Sequence, residues 1–576
     1  MPEYLAPGVY VEETSFRSKS IEGVSTSTTA FVGPTRRGPV FDPNVVNNLP
    51  PELVTSFGDF ERIYGGIGDL TVGGAQVPNL VAHAVAAYFE NGGSRLYVSR
   101  VFLKAGDADT GVASSTPAGE DPASVSFVAR NPGSGGNGTI RFSLSAEVAS
   151  LKNAATAPMG SLMRGPGDAP PFYVKGNTVW TDKAAADAPA LAAGSHILTM
   201  NVECIDADGN STVYEGLGFA AAHPRYIGNV LAQNPSSRRE ALENAFAIQL
   251  ADDVTPFDLY DALFAQGAVN PVKLAGGNDG GEPDSDAYKN ALDPIARTDE
   301  VSIVAAPGHT SLSTDADVVA GIRNTLVSHG DADRSYRIVV LDTAPAQTLS
   351  QAQEYRSQID STHAALYYPW VLTPDPLARP GDASRPREFL QPPSGFLCGI
   401  YARTDVQRGV YKAPANEVVR GALRFETDIN AAEQAVLNPR GINCLRFFEG
   451  RGYRVWGART ASSDPEWKYV NIRRYFNYLE RSIDRGTQWA VFEPNGEALW
   501  DNVRQTISDF LYNEWVSGAL LGSSPKEAYF VRCDRSTMTQ NNLDNGQLIC
   551  LIGVAAVKPA EFVIFRIGQK TADARS

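Results

Sequence analysis

Residues 133–138, Gly-Ser-Gly-Gly-Asn-Gly, satisfy the G-x-G-x-x-G spacing that lets a backbone approach a pyrophosphate. That chemistry needs a helix next, because its amide dipoles hold the phosphate. Here Thr139-Ile-Arg-Phe-Ser-Leu144 alternates like a strand, so a β-turn loop is expected. No G-x(4)-G-K-[ST] loop exists. Two acidic clusters, Asp206/Asp208 and Asp279/Glu282/Asp284/Asp286, suggest calcium. Neither carries the glycine and glutamate that shape an EF-hand loop, and solvated turn carboxylates are the expectation. The six histidines (83, 196, 223, 309, 329, 363) form no H-x-x-H or H-E-x-x-H pair, and His363 reads as a satisfied core or edge histidine. Five widely spaced cysteines (204, 398, 444, 533, 550) include no C-x-x-C and read as reduced thiols of a cytoplasmic product. No constellation for acid–base or covalent catalysis is present, and no cofactor or metal is expected.

The elements that would have to position such groups come next. The chain has 576 residues, 43% hydrophobic and 20% charged, enough to bury large cores. Net charge is −15, which disfavours general nucleic-acid binding and docking on anionic lipid. It divides as −3 over 1–103, −12 over 104–300, +1 over 301–463 and −1 over 464–576. The first residues, MPEYLAPGVYVEE, lack the basic and apolar regions of a signal peptide. The longest apolar run, 548–557, is about half of what a membrane helix needs, so no membrane insertion is expected.

Val9-Tyr10-Val11-Glu12 reads as a short strand, and 14–29, rich in Ser and Thr, as a flexible connector. A buried strand at 30–33, a helix over 79–91 and a strand over 95–102 follow. From 104 the texture turns to short strands and frequent turns, with a hairpin signal at 206–210. Strand and helix alternate over 301–371, which predicts an α/β layer with parallel strands. Then come the apolar run 396–401, a helix at 431–437 and paired runs at 443–448 and 453–458. Two amphipathic helices, about 467–485 and 497–517, precede apolar runs at 528–533, 548–557 and 562–567. The fold class is α/β and α+β, multidomain. Its parts are an N-terminal arm and linker (1–29), a first body segment (30–103), an inserted β-rich domain (104–273), an α/β domain (274–463) and a C-terminal domain (464–576).

The two ends are β-prone: Val9–Glu12, and Phe562, Val563, Ile564, Phe565, Arg566 and Ile567. An unpaired apolar strand at a terminus is an aggregation hazard. Either both strands tuck into this chain's own sheet, or they pair with neighbouring copies. Exchange at both ends would tie each copy to others in two directions.

Several stretches, in order, resemble the contractile tail sheath family of bacteriophages and related injection machines. They are PGVYVEE (7–13), GVSTSTTAFVGPTRRGP (23–39), LVTSFGDF (53–60), NGGSRLYVSR (91–100), 129–138 and 274–280. PRGIN (439–443), VNIRRYFNYLERSI (470–483), WAVFEPNGEALW (489–500) and 518–534 complete the set. The resemblance covers about 1–103 and 274–576; the middle matches only at its entry loop.

The resemblance implies a structural subunit, not an enzyme, that polymerises as stacked hexameric rings in a helical sheath around an inner tube. It implies exchanged terminal strands, an outward-facing insertion, an inward-facing C-terminal domain, and contraction from a metastable state without nucleotide hydrolysis. Partners would be other copies, the tube protein, and baseplate and tail terminator proteins, with assembly in the bacterial cytoplasm. For tube contact, Arg474, Arg481 and Arg485 share one face of the first C-terminal helix, unless that face is only solvated or salt-bridged within the subunit. The second helix is the rival, with Asn502, Asp509 and Asn513 on its polar face. Two other functions compete: an α/β enzyme using the 301–371 layer, and a secreted surface-layer or adhesive protein using the β-rich middle.

Overall fold

The computed structural model describes residues 20–41, 49–106, 109–115, 125–167, 171–183, 191–252, 254–265 and 268–566. The expected strand at Val9–Glu12 and residue Ile567 lie outside these. Two compact units divide the chain. The larger is Thr26–Gln407 with Pro414–Val470; the smaller is Met1–Ser25, Arg408–Ala413 and Asn471–Ser576.

The larger unit is built on an eight-stranded sheet. In chain order its strands are β1 (Thr29–Gly33), β2 (Glu52–Val54), β3 (Leu96–Arg100), β4 (Ile303–Ala305), β5 (Ile338–Asp342), β6 (Ala364–Tyr368), β7 (Ile442–Phe448) and β8 (Gly452–Val455). Across the sheet the order is β2-β3-β1-β4-β5-β6-β7-β8. Strands β3 through β7 in that order run parallel, and β2 and β8 lie antiparallel at the edges. Every residue of β1, β5 and β6 is buried, as parallel strands covered on both faces require. The covering helices are α1 (Leu80–Glu90), α2 (Ser285–Ala296), α3 (Ala316–Asp331), α4 (Leu349–Ser357) and α5 (Pro393–Arg408). The alternation expected over 301–371 is the sequence β4, α3, β5, α4, β6.

The apolar run 396–401 lies inside α5, buried from Pro393 through Thr404. Gly395 and Gly399, four apart, let this helix approach α1 closely. A Cβ on Gly395 would meet Ala84 Cα at 2.7 Å, and one on Gly399 would meet the Tyr88 carbonyl oxygen at 2.5 Å. A short apolar run with no polar face leaves no period from which to read a helix.

Within 104–273 the long antiparallel strands Thr139–Val148 and His196–Ile205 pair over ten residues. They anchor a seven-stranded sheet. The hairpin at 206–210 joins His196–Ile205 to Ser211–Leu217. This region has its own core, including Phe127, Phe142, Met200, Phe219 and Leu259, distinct from that of the main sheet.

The smaller unit holds α6 (Val470–Gly486), α7 (Glu497–Val516), β9 (Tyr529–Arg532) and β10 (Leu551–Val554). Tyr475, Leu479, Trp500, Ile507 and Leu511 form its core with Ile21. The connector expected to be flexible is therefore laid down in part. Ile21 is buried, Val24 N donates to Ser482 Oγ at 3.1 Å, and Gly23 faces Tyr478 so closely that a Cβ would meet its Oη at 2.2 Å. One isoleucine in a Ser/Thr-rich stretch suffices when a helix offers it a groove.

Candidate functional site

The glycine-rich segment is a structural joint. Ser134–Gly136 makes one 3-10 turn, and the strand Thr139–Val148 follows. Gly133 sits at φ 134° with the Arg36 carbonyl oxygen 2.0 Å from where a Cβ would stand, so only glycine fits there. Gly135 N donates to that same oxygen at 2.9 Å. No helix follows to hold a phosphate.

The acidic clusters are corrected from solvated turns to ion pairs and backbone clamps. Asp206 Oδ1 accepts from the amides of Asp208 and Asn210, both at 2.9 Å. Its other oxygen lies 3.1 Å from Arg37. Arg36 pairs with Asp208, whose second oxygen accepts from Gly66 N at 3.0 Å. Asp279, 2% exposed, accepts from Thr71 N at 2.7 Å and Ser134 N at 2.8 Å. Close by in this electrostatic network, Arg100 donates to the carbonyls of Gly38 and Pro132 at 2.9 and 2.6 Å. Burial pushes its guanidinium down to about 10, against the opposing pull of Asp279. Asp284 caps α2 through Ala287 N, while Glu282 and Asp286 are exposed. Arg36, Arg37, Arg100 and Asp279 thus fasten the inserted region to the main sheet. In the sequence Asp279 reads only as a turn carboxylate and the three arginines carry no joint role, although the adjacent arginines beside Gly38-Pro39 are a visible signal.

The histidines are dispersed in space as in sequence. His83 stacks on Phe389 at 3.9 Å, and burial drives His83, His309 and His329 down to about 4. His363 pairs with Asp331 at 3.0 Å. Beside the 301–371 layer, a recess of about 620 Å³ is lined by residues 346–350, Tyr368, Glu426 and Thr427. Glu426 is its one carboxylate, held by Ala346 N at 2.7 Å, and no histidine, lysine or cysteine lines it. Among the described residues no group of three His, Cys, Asp or Glu is placed to hold a metal ion. No helix among them is long and apolar enough to cross a membrane.

The smaller unit presents surfaces of a different kind. Tyr475 and Tyr478 of α6 both donate to Glu514 of α7, at 3.1 and 2.9 Å, which fixes the two helices together. Burial raises the Glu514 carboxyl. The arginine face expected on α6 is only partly a surface. Arg474 is 4% exposed, Arg481 is half-buried and Arg485 exposed. A solvent-facing triad is therefore corrected to Arg481 and Arg485. A fourth arginine, Arg473, is buried against Asn477 and Glu480, both at 2.8 Å. The periodicity placed the arginines opposite the apolar stripe, but α6 is covered on more than one face near its start.

On α7, Asn502, Asp509 and Asn513 are exposed as expected, opposite buried Leu499, Val503, Ile507 and Leu511. Asp509 accepts from Gln505 at 2.6 Å. In the loop before α7, Phe492 is fully exposed at φ 67°, and the sequence signalled nothing of this. Among the described residues strands β9 and β10 pair only with each other, and Phe530 and Leu551 are each about half exposed. Beyond them, Phe562, Val563, Ile564 and Phe565 are 71, 69, 78 and 82% exposed and make no strand within the described chain. Of the two readings for this end, pairing within the chain's own sheet is not what Phe562–Arg566 does.

Two family models match adjoining parts of the chain: the phage tail sheath protein central domain over 281–461 and the phage tail sheath C-terminal domain over 462–570. Together they span half of it. The tail sheath protein of Vibrio phage KVP40 is 25% identical over 34% of this chain and 28% of its own length. That of Burkholderia phage BcepMu is 27% identical over 32% of this chain and 41% of its own. The matched region spans less than two thirds of the curated relatives' length. In fold, the chain is similar to the helical sheath of the anti-feeding prophage in its contracted state, with TM-score 0.53, 22% identity, and 98% of this chain and 100% of that one covered. A crystal structure of a sheath tail protein from Listeria innocua gives TM-score 0.52 at 11% identity, covering 93% and 96%. With the central and C-terminal sheath domains adjoining without a gap, the chain belongs to the contractile phage tail sheath protein family.

Proposed function

We propose that this protein is the structural subunit of a contractile sheath, polymerising as stacked hexameric rings around an inner tube and contracting from a metastable extended state. The observation that carries this is the C-terminal segment. Four consecutive large apolar residues, Phe562–Phe565, stand in solvent, and they follow in the chain a sheet that has two strands among the described residues. Burying four such side chains is worth roughly 6–12 kcal/mol before ordering costs, a gain the isolated chain does not collect. Strand addition to the sheet of a neighbouring copy collects it, satisfies the backbone and removes the aggregation hazard. The N-terminal strand Val9–Glu12 is proposed to do the same at the other end.

In this reading the acidic insertion forms the outer layer and the near-neutral C-terminal unit faces the tube. Arg481 and Arg485 on α6, or Asn502 and Asp509 on α7, contact the tube protein. Baseplate and terminator proteins complete the particle, which assembles in the bacterial cytoplasm. The driving force is the sum of small interface gains over many copies, released through a two-state repacking.

Negative-stain electron microscopy of the overexpressed protein tests this. Short hollow cylinders are expected. Deletion of 1–20 or of 558–576 should leave folded monomers and abolish long cylinders. A uniformly monomeric full-length chain, or cylinders unaffected by either deletion, would refute the arm-exchange reading.

A further inference from the structure

Two thiols meet at the end of the β9–β10 ladder. The antiparallel register pairs Tyr529 with Val554 and Arg532 with Leu551. The same register continued one step beyond the ladder sets Cys533 opposite Cys550. Directly opposed residues of an antiparallel pair have Cα atoms about 4.5–5.5 Å apart, whichever kind of pair they form, which lies inside the range a disulfide spans. Both side chains belong to the same apolar cluster, and the Cys550 thiol hydrogen-bonds to Cys533. The intervening segment is held at both ends: Asp534 Oδ1 accepts from Ser536 N at 2.7 Å, and Thr537 Oγ1 donates to the Ile549 carbonyl at 2.8 Å. The hydrogen bond between the two thiols places the sulfurs within reach of each other. The other three cysteines, Cys204, Cys398 and Cys444, are buried.

We infer that Cys533 and Cys550 are a cross-strand dithiol that a low-molecular-weight disulfide converts into an intrachain disulfide, a modification site at the root of the C-terminal arm. The half-buried Cys550 is the entry point. It loses its proton to water, and its thiolate attacks one sulfur of the small disulfide, whose S–S bond breaks and releases one thiolate. Cys533 then loses its proton and attacks Cys550 Sγ, expelling the second thiolate. Two protein thiols are oxidised, one small disulfide is reduced to two thiols, and the released protons balance the departing thiolates. Burial holds the Cys550 thiol up at about 12, so the pair stays reduced in a reducing cytoplasm and closes slowly once outside it. The bond would tie β9 to β10, from which the exposed segment 562–566 continues.

The test uses the full-length chain and oxidised glutathione at pH 8, with alkylation, protease digestion and non-reducing mass spectrometry. The expected product is a peptide pair joined through Cys533 and Cys550, with Cys204, Cys398 and Cys444 still alkylated after unfolding. Cys533→Ser should instead accumulate glutathione on Cys550, at least tenfold more than the wild-type chain. A chain that keeps both thiols reduced, or a wild-type chain that stops at glutathione on Cys550, would overturn the assignment. Because the readout is on the folded wild-type protein, it does not depend on the variant folding or on sheath assembly.

Discussion

Replacing Asp279 by alanine should unfasten the inserted region from the main sheet. The carboxylate accepts the amides of Thr71 and Ser134 at 2.7 and 2.8 Å while only 2% exposed, and its charge offsets the fully buried Arg100 guanidinium. Stranding two buried amides costs about 1–3 kcal/mol each, and removing one member of a buried charge pair about 3–5 kcal/mol. Because Arg100 keeps its bonds to Gly38 and Pro132, and because such terms overlap, about 3 kcal/mol, below their simple sum, is the conservative figure. At about 1.4 kcal/mol per decade this is a local opening roughly a hundredfold more frequent. Hydrogen exchange followed by mass spectrometry reads it directly, as faster exchange in peptides covering 70–72 and 133–136. Asp279→Asn should give an intermediate effect, since the amide keeps one acceptor and turns donors toward the second amide. Asp286→Ala, at an exposed position of the same acidic run, should leave both peptides unchanged. Less than threefold acceleration in Asp279→Ala would refute the idea that this carboxylate is a fastener and return it to the class of ordinary turn acids.

Three other outcomes follow from the same packing. Burial lifts the Asp342 carboxyl to about 7 from 3.8, against hydrogen bonds from Ser394. The folded chain therefore holds a proton that the unfolded chain has lost, and this group's contribution to stability falls as pH rises from about 4 to 7. His83, His309 and His329, held at about 4, act with the opposite sign between about 4 and 6.5, so the difference between wild type and Asp342→Asn in thermal shift across pH isolates the aspartate; a constant difference would refute it. Gly133→Ala should destabilise by about 2 kcal/mol or more, from a Cβ overlapping the Arg36 carbonyl at a positive φ, and equal thermal stability would count against that geometry. Charge reversal at Arg481 and Arg485 should lower the yield of tube-filled sheaths in micrographs, whereas the same yield and length would shift tube contact to the Asn502 and Asp509 face of α7.

What the sequence determined by itself was the set of elements and their family resemblance. Local periodicity is written residue by residue, so the alternation over 301–371 and the two C-terminal amphipathic helices were legible, as was the hairpin at 206–210. Where no polar face exists, as in the run 396–401, period could not separate helix from strand, and the buried packing of α5 on α1 settled it. Tertiary structure alone decided which charges are surface and which are joints. Arg474 looks like Arg485 in a helical projection, yet one is buried and the other exposed, because coverage of a helix depends on elements distant in sequence. Asp206, Asp208 and Asp279 look like turn acids until Arg36, Arg37 and two distant amides are brought to them across gaps of more than 140 residues. The cysteines read as isolated thiols for the same reason: only the β9–β10 register brings Cys533 opposite Cys550. Composition and pattern report what a residue prefers; the partner that satisfies or neutralises it is chosen by long-range contact, which a linear pattern does not encode.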